Sequence, residues 1–300
     1  MKHTTQSERP RIGLALSGGA ARGIAHVGVL RALDEHQIPI DFIAGASAGA
    51  LVGGAYAAGM SLDEIEEIGR SLRWRDLGRM TLSRLGIQSN ARMEDYIRAR
   101  FPVTRFEELR IPFAAIATDL HSGSAVIMRD AGDVAFAIRA SCCLPGWYVP
   151  VTDEENRQLV DGGLVANVPA AAVRALGAEV VIAIDVNSEG AKFFGPPHSI
   201  IGVILQATMI IQRTAATHQW QSADLVIKPK VGHIRWDEMT RAGDLIAAGH
   251  AAALDYIEQI KELVAPPAPV EPPTKWYQLL RRARHRQTLT ASGGGRVTPQ

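Results

Sequence analysis

The sequence has few cysteines and lacks a disulfide pattern. Its 300 residues include only Cys142 and Cys143, which are adjacent and do not suggest the disulfide network of a small secreted protein. This usage fits a reducing compartment, and we interpret both thiols as buried and unreactive. Hydrophobic residues make up 47% of the chain, so it is long and apolar enough to bury a sizeable core.

An excess of charge of either sign is also missing. The sequence has 32 basic and 31 acidic residues, which gives a formal net charge of +1. Only 6% of the residues are aromatic. Proteins that bind nucleic acid usually carry a basic surface, so we expect no nucleic-acid partner.

Long hydrophobic runs are absent from the sequence. The N-terminal residues MKHTTQSERP are polar and lack the apolar segment of a secretory signal, which favours a cytoplasmic protein. The longest apolar stretch, residues 200–211, has about 12 residues, whereas a transmembrane helix needs roughly 20. We predict that this stretch is a buried core helix; the alternative is a segment that lies at a membrane interface.

Short apolar segments alternate with segments of helical periodicity. Ser61 and Glu64 form a capping box that predicts the start of one helix, and Gly59 predicts the end of the preceding one. The patterns predict strands at 11–16, 41–44, 112–118, 125–128, 179–185 and 225–228, and helices at 24–36, 48–58, 133–141, 169–176 and 241–263. This alternation is typical of an α/β fold with a largely parallel sheet.

A change in composition divides the chain near residue 265. We assign residues 8–264 to one catalytic domain and residues 265–300 to a proline-rich linker followed by a basic, disordered tail. The tail segment KWYQLLRRARHR combines five cations with Trp, Tyr and Leu and contains no acid. Such a segment suits peripheral contact with an anionic membrane, and the alternative is a solvated basic tail.

Ser47 lies in a run of small residues directly after a predicted strand. The segment Gly45-Ala46-Ser47-Ala48-Gly49 matches the Gly-x-Ser-x-Gly pattern of a nucleophile elbow. In such an elbow the serine occupies a strained turn between a strand and a helix, and the flanking glycines avoid clashes. The alternative is a small-residue loop that only packs the helix against the strand.

A second small-residue loop, residues 18–23, follows the first predicted strand. Its sequence, Gly-Gly-Ala-Ala-Arg-Gly, leaves backbone amides accessible ahead of a helix, where they could stabilise an oxyanion. A nucleotide phosphate loop is the alternative, but neither G-x-G-x-x-G nor G-x-x-x-x-G-K-[ST] is present.

Asp161 is the candidate base. It follows a short apolar run at residues 159–160 and precedes Gly162 and Gly163, so a strand end would present its carboxylate beside glycines that permit close approach. An ordinary turn aspartate is the alternative interpretation.

These three motifs, in this order, resemble the patatin-like phospholipase family over roughly residues 10–230. The resemblance implies a three-layer α/β/α sandwich with a mostly parallel central sheet. It also implies a serine lipid acyl hydrolase in lipid catabolism that acts on phospholipid or other acyl esters without a metal or cofactor. In this family Ser47 corresponds to the nucleophile and Asp161 to the base of a Ser-Asp dyad. Residues 139–145 resemble a family block that helps to form the wall of the site.

The same resemblance assigns roles to the loop at residues 18–23. Amides around Gly18, Gly19 and Ala20 correspond to the oxyanion hole, and Arg22 and Gly23 to its supporting residues. The usual family loop is Gly-Gly-Gly-x-Arg-Gly, so Ala20 replaces a glycine and costs about 1 kcal/mol if its φ is positive. Four further glycines support the elbow and the aspartate turn: Gly45, Gly49, Gly162 and Gly163.

Two other functions remain open from the sequence. An α/β-hydrolase triad would recruit a histidine after Asp161, and the candidates are His198, His218, His233 and His250. A carboxyl base of ordinary pKa would retain activity to lower pH than a histidine, unless burial raises it. The second possibility is a lipid-binding or regulatory protein that retains the fold without catalysis. His26 and Arg22 could equally serve to anchor the loop. The sequence leaves the substrate and the oligomeric state open.

Overall fold

The computed structural model describes residues 9–189 and 196–266. Pro10–Ala265 form one compact unit. The basic segment assigned to the tail lies outside the described residues, so its disorder and its membrane contact remain predictions.

Eleven strands and eleven α-helices make up the described unit. The strands are β1 (Ile12–Leu16), β2 (Phe42–Ala46), β3 (Arg79–Met80), β4 (Gly86–Ser89), β5 (Phe113–Asp119), β6 (Ala125–Arg129), β7 (Gly146–Tyr148), β8 (Val151–Thr152), β9 (Gln158–Asp161), β10 (Val180–Ile184) and β11 (Leu225–Ile227). The helices are α1 (Ala25–Glu35), α2 (Ala48–Ala57), α3 (Leu62–Ser71), α4 (Trp74–Leu77), α5 (Ala91–Arg98), α6 (Val134–Ser141), α7 (Gly163–Ala166), α8 (Ala170–Leu176), α9 (Ile200–Gln219), α10 (Ala242–Leu254) and α11 (Ile257–Val264). A short 3₁₀ helix, Ala20–Ile24, precedes α1.

An eight-stranded sheet forms the centre of the fold. Its order is β11-β10-β1-β2-β5-β9-β8, and β6 pairs with β5 in addition. The first five strands of this order are mutually parallel, whereas β6, β8 and β9 form antiparallel pairs. The α/β fold with a mostly parallel sheet, expected from the alternating pattern, is confirmed. A separate three-stranded sheet has the order β3-β4-β7.

Helices cover both faces of the large sheet. Alternate residues of β1 point to opposite faces: Leu14 belongs to an apolar cluster with α1, α2 and α10, whereas Ala15 belongs to a second cluster with α8. The second face carries small side chains, because β2 and β5 contribute Ala44 and Ala114 to it and α8 packs closely there. The two clusters give the expected three layers of helix, sheet and helix.

Local sequence signals place several element ends correctly. Ser61 and Glu64 make both hydrogen bonds of the predicted capping box at the start of α3.

Cys142 and Cys143 are both free and buried, as predicted, and burial raises the pKa of each thiol, that of Cys143 to about 12.

Two predictions about the C-terminal helices are wrong. The expected single helix at 241–263 is divided into α10 and α11, and the break falls at residues 255–256. The stretch at 200–211 is the first part of the 20-residue helix α9, and it is not buried: Ile200, Val203 and Ile211 are exposed. The stretch Ile200–Ser222 is long and apolar enough to cross a membrane by length and composition, a test that core helices of soluble proteins also pass.

Candidate active site

Ser47 occupies a strained turn between β2 and α2. Its backbone has φ 52° and ψ −123°, a conformation that glycine adopts readily and other residues adopt at a cost of about 1–3 kcal/mol. The amide of Ser47 donates a hydrogen bond of 2.8 Å to Ser141 Oγ, which holds the turn from the other side. A serine on such a turn projects from the backbone at the start of a helix, as a nucleophile elbow requires.

The flanking glycines of the elbow are required by close backbone packing. A Cβ on Gly45 would overlap the carbonyl oxygen of Gly49, and a Cβ on Gly49 would overlap the carbonyl oxygen of Leu16. Each neighbour is main chain and cannot rotate away. The predicted clearance around Ser47 is therefore present.

The strand pairing brings Asp161 to Ser47. Strand β6 pairs with β5 residues that also pair with β2 and with β9, so β2 and β9 must both lie along the other edge of β5. Ala46, the last residue of β2, is opposite Ile116, and Asp161, the last residue of β9, is opposite Ala117. The ends of these two strands therefore meet at consecutive residues of β5.

Asp161 is completely buried in a polar turn. Its Oδ1 accepts a 2.8 Å hydrogen bond from the amide of Gly163, and its backbone carbonyl accepts one of 2.9 Å from Thr118 Oγ1. A Cβ on Gly162 would overlap the carbonyl oxygen of Ile116. The glycines after Asp161 thus permit both the turn and the amide contact.

Burial raises the pKa of the Asp161 carboxyl to about 6, because removal from water disfavours the charged form. The Ser47 hydroxyl and the Gly163 amide act in the opposite direction, since both favour the ionised form. Among the described residues, Asp161 Oδ2 nevertheless has no hydrogen-bond partner of ordinary geometry. The Ser47 hydroxyl is thus close enough to influence the carboxyl, in the loose arrangement common in sites without substrate.

The glycine loop lies beside Ser47. A Cβ on Gly18 would be 3.2 Å from Ser47 Cβ. The amide of Gly18 donates a 3.1 Å hydrogen bond to the carbonyl of Asn167 and is not available to a ligand. The amides of Gly19 and Ala20 have no hydrogen-bond acceptor in the described part of the chain. The predicted oxyanion hole is therefore narrowed from three amides to those of Gly19 and Ala20.

The rest of the loop is fixed by packing. Ala20 has a φ of 49°, the left-handed conformation that its glycine counterpart in the family would adopt without strain. A Cβ on Gly23 would overlap Ala48 Cβ, so this glycine lets the loop approach the start of α2 closely.

Arg22 and His26 support the loop through buried hydrogen bonds. Arg22 Nε donates 2.7 Å to the carbonyl of Ile234, and its terminal nitrogens donate to Asn187 Oδ1 and the carbonyl of Gly232. His26 Nε2 lies 2.8 Å from the carbonyl of Ser17, and burial lowers the pKa of this imidazole to about 4. His26 is thus neutral at physiological pH and anchors the strand that leads into the loop.

The four histidines considered for a triad lie elsewhere. His250 Nε2, on α10, pairs with Glu35 Oε2, at the end of α1, at 2.8 Å. His198 and His218 line two separate cavities, and His233 is exposed. Among residues 9–189 and 196–266, no histidine hydrogen-bonds Ser47 or Asp161.

Three buried polar residues near the dyad were not predicted from the sequence. Ser141 lies in the block at 139–145, which the family resemblance assigned to the wall of the site without a role for this serine. Asn167 is fully buried, and neither atom of its amide has a partner in the described structure. Gln212 comes from α9, and its Nε2 lies 2.5 Å from where a Gly163 Cβ would be. Asn167 follows the aspartate turn closely and could have been suspected, whereas no local signal indicates Gln212.

A cavity of about 270 Å³ lies between α9 and the segment that holds the glycine loop. Leu205 and Met209 of α9 line it on one side and Trp236 on the other. The carbonyl of Trp236 accepts a 2.8 Å hydrogen bond from the amide of Ala21, so one of the residues that line the cavity is bonded to the glycine loop. In the parts of the chain that the structure describes, no group of three or more His, Cys, Asp or Glu is arranged to hold a metal ion.

A buried carboxyl beside a strained serine, with two unpaired amides nearby, has the components for acyl transfer. Comparison with known proteins places this arrangement in context. The family model described as patatin-like phospholipase matches residues 14–174, which is 161 of the 300 residues.

The sequence is similar to proteins of bacteria and fungi. It is 39% identical over 188 residues to an uncharacterised NTE family protein of Mycobacterium bovis, which covers 62% of this chain and 51% of that protein. It is 37% identical over 185 residues to a lysophospholipase of Mycosarcoma maydis, covering 59% of this chain and 10% of that protein. The chain thus spans about half the length of the mycobacterial relative and a small part of the fungal one.

The fold is similar to the crystal structure of VipD from Legionella pneumophila. The TM-score is 0.52 with 13% sequence identity, and the match covers 84% of this chain and 67% of that chain. At this identity the likeness concerns the fold alone.

Proposed function

Since the chain belongs to the patatin-like phospholipase family, we propose that it is a carboxylic ester hydrolase that cleaves acyl esters of lipids with a Ser47-Asp161 dyad. One observation carries this proposal: the pairing of β2 and β9 along one edge of β5 brings a strained serine to a buried carboxyl. The pattern G-x-S-x-G and the Asp-Gly-Gly turn are the sequence expression of that geometry.

The reaction proceeds by covalent catalysis. Ser47 Oγ attacks the ester carbonyl carbon while Asp161 takes the hydroxyl proton, and the amides of Gly19 and Ala20 donate hydrogen bonds to the oxyanion. The tetrahedral intermediate then expels the alcohol, which receives the proton from Asp161. Water attacks the acyl-enzyme and gives up a proton to Asp161, and collapse of the second intermediate returns a proton to Ser47 and releases the fatty acid.

Burial makes Asp161 a better base than an exposed aspartate. A general base is most effective when its pKa is near the working pH, and a pKa of about 6 brings this carboxyl closer to neutrality. At pH 7 most molecules still carry the ionised form that the reaction requires. None of these steps uses a metal or a cofactor.

The substrate class follows from the family and from a relative. The relative of Mycosarcoma maydis is a lysophospholipase, which suggests a phospholipid or lysophospholipid substrate in lipid degradation. The cavity that Trp236 lines has three large apolar side chains, Leu205, Met209 and Trp236, which are suited to contact part of an acyl chain, and its other lining residues include Gln206 and Arg235. The cytoplasmic location expected from the sequence, with peripheral contact at the inner face of the membrane, is part of this proposal.

Hydrolysis of p-nitrophenyl esters from acetate to palmitate tests the reaction. We expect Ser47→Ala to lose nearly all turnover and Asp161→Asn to lose about 10²- to 10⁴-fold, because the first removes the nucleophile and the second the base. Circular dichroism should show that both variants are folded. Failure of the wild type to hydrolyse any ester, together with failure of a fluorophosphonate to label Ser47, would favour a lipid-binding protein without catalysis.

The pH dependence of kcat/KM should show an acid limb near pH 6, where Asp161 becomes protonated. A histidine base would give a limb near 6.5, so the limb alone does not separate dyad from triad. Replacement of the triad candidates by Gln, one at a time, makes the distinction: we expect all four variants to remain active. A loss comparable with that of Asp161→Asn in any one of them would contradict the dyad.

A further inference from the structure

The exposed apolar side chains are concentrated in two segments. Eleven large hydrophobic residues are exposed in the described structure, and eight of them lie at residues 80–85 and 200–211. They are Met80, Leu82, Leu85, Ile200, Val203, Ile204, Ile210 and Ile211. Single exposed apolar residues are normal on protein surfaces, but a cluster of this kind marks an interaction site.

The two segments belong to one surface. The turn between β3 and β4 carries the first segment, and β4 pairs with β7. On the other side of β7, a Cβ on Gly146 would be 3.5 Å from Ile201 Cδ1 and 3.8 Å from Ile204 Cγ2 of α9. Strand β7 therefore connects the turn to the helix. We call residues 79–85, 146–148 and 200–211 the apolar surface.

Basic residues outnumber acidic ones around the apolar surface, although Asp95 lines a cavity with Arg79, Met80 and Leu82. About one residue in ten of the chain is acidic, 31 of 300, yet the stretches 77–93, 134–152 and 196–223 contain no Asp or Glu. The guanidinium groups of Arg79, Arg84 and Arg213 make no ion pair or side-chain hydrogen bond within the described residues. Cations without partners are thus placed beside exposed Leu, Ile and Met.

We propose that the apolar surface docks onto an anionic phospholipid bilayer. Apolar side chains beside a majority of basic residues match the boundary between acyl chains and negatively charged headgroups. A second copy of the chain fits this surface less well, because symmetric contact would bring these arginines towards like charges. The inference deepens the proposed lipid hydrolase function and rests on it for the biological reason to bind lipid.

Docking at this surface would bring the lipid close to the dyad. The inner side of α9 contributes Leu205 to the cluster that contains Cys143, and Gln212 beside Gly163. Strand β7 begins five residues after Ser141, which holds the amide of Ser47. The cavity bordered by Trp236 lies along the same helix. Helix α9, whose exposed side would contact the bilayer, therefore packs with its inner side beside the turn that follows Asp161.

Vesicle sedimentation tests the proposal with the full chain carrying Ser47→Ala, so that lipids are not hydrolysed. The probes are vesicles of phosphatidylcholine alone and of phosphatidylcholine mixed with phosphatidylglycerol. We expect Leu82→Glu/Leu85→Glu and Val203→Glu/Ile211→Glu each to weaken binding to the mixed vesicles by about 100-fold or more, because each variant replaces two apolar side chains that would enter the bilayer by carboxylates that anionic headgroups repel.

The charge contribution is tested separately. We expect Arg79→Gln/Arg84→Gln to weaken binding by roughly tenfold or more on the anionic vesicles, and to change binding little on phosphatidylcholine alone. Leu254→Glu is the matched control, since Leu254 is an exposed leucine on α10 outside the apolar surface. It should bind the mixed vesicles within about twofold of the parent.

Several outcomes would overturn the docking proposal. Equal binding of all variants would assign membrane contact to another part of the chain. A dimer in light scattering that dissociates in Leu82→Glu/Leu85→Glu would identify the surface as an interface between copies. Hydrolysis of p-nitrophenyl acetate, measured with Ser47 intact, separates the docking proposal from the hydrolase proposal. Esterase activity in a protein whose vesicle binding is unaffected by substitutions in the apolar surface refutes docking only. Vesicle binding that these substitutions weaken, in a protein without esterase activity, refutes the hydrolase only.

Discussion

The buried surroundings of the Asp161 carboxyl disfavour its ionised form. It is fully buried, Oδ2 has no ordinary hydrogen-bond partner, and the pKa is raised to about 6 from the usual 3.8. Protonation of Asp161 thus favours the folded state of the protein, and this contribution to the free energy of unfolding is lost as the pH rises through 6. A base that is useful near neutrality therefore reduces the free energy of unfolding at that pH.

Asp161→Asn should separate activity from stability. Asparagine keeps an oxygen for the Gly163 amide and does not ionise, so the variant should be more stable than the wild type above pH 6 by up to about 3 kcal/mol. The difference should disappear below about pH 4, where the wild-type carboxyl is protonated in both states. Urea unfolding at pH 8 and pH 4 measures this difference in stability. A variant that is less stable than the wild type at pH 8 would contradict an unfavourable burial of the Asp161 carboxylate.

Ser47 carries a second local strain, in its backbone. With a φ of 52°, any residue with a Cβ is unfavourable at this position, and glycine is not. Ser47→Gly should therefore be about 1 kcal/mol more stable than Ser47→Ala, although both are inactive. The comparison uses thermal or urea unfolding of the two variants. Equal stabilities would mean that the elbow relaxes when the hydroxyl is removed.

At the scale of elements, the elbow depends on close contact between β1, β2 and α2. Gly49→Ala forces a methyl group onto the carbonyl oxygen of Leu16, and we expect it to destabilise the fold by about 2–4 kcal/mol. Gly69→Ala is a matched control, because a Cβ there meets only Ile24 at 3.4 Å and alanine favours helix α3. The control should be neutral or stabilising by urea unfolding; a similar loss in both variants would refute the steric explanation.

Local sequence patterns predicted the positions of strands and helices better than they predicted which residues pack around each element. The strands and turns that carry Ser47 and Asp161 follow from short apolar runs that end in glycines. The exposure of α9 does not follow, because the run at 200–211 has the composition of a core helix and only the fold shows that Ile200 and Ile211 have no neighbours to cover them. The hydrogen bond from the Gly18 amide to the carbonyl of Asn167 does not follow from local patterns either, because it joins segments that are far apart in sequence.

At the scale of the whole molecule, stability is concentrated in the parallel part of the sheet. All residues of β1 and β10 are buried, and each of these strands is paired on both sides. The turn between β3 and β4 lies at the opposite extreme, since Met80 and Leu82 are exposed and the strands are short. Different regions should therefore open with very different free energies.

Hydrogen exchange followed by mass spectrometry tests this distribution. We expect the amides of β1 and β10 to exchange only through global unfolding, and peptides covering residues 79–85 to exchange fastest among those of the described unit. Addition of anionic vesicles should slow exchange at 79–85 without changing β1. Equal protection of the turn and of β1 in the absence of lipid would contradict this distribution of stability.

The alternating pattern predicted the α/β fold and its largely parallel sheet, because burial on both faces of a parallel sheet leaves a strong signal in sequence, and the family resemblance implied the three layers. They did not predict the small sheet β3-β4-β7, whose strands have only two to four residues and no clear periodicity. The sequence also did not predict the raised pKa of Asp161, because this shift arises from the packing of several elements around the carboxyl.

The meeting of β2 and β9 on one edge of β5 fixes the position of Asp161 relative to Ser47, the proposed dyad, in discrete steps. A one-residue slip of β9 would turn the Asp161 side chain to the other face of the sheet, and a two-residue slip would move it about 7 Å along β5. No intermediate position exists. A preparation damaged in this region should therefore be a mixture of fully competent and fully dead molecules, so that the amplitude of an acyl-enzyme burst falls below one per chain while the turnover rate of each remaining competent molecule is unchanged.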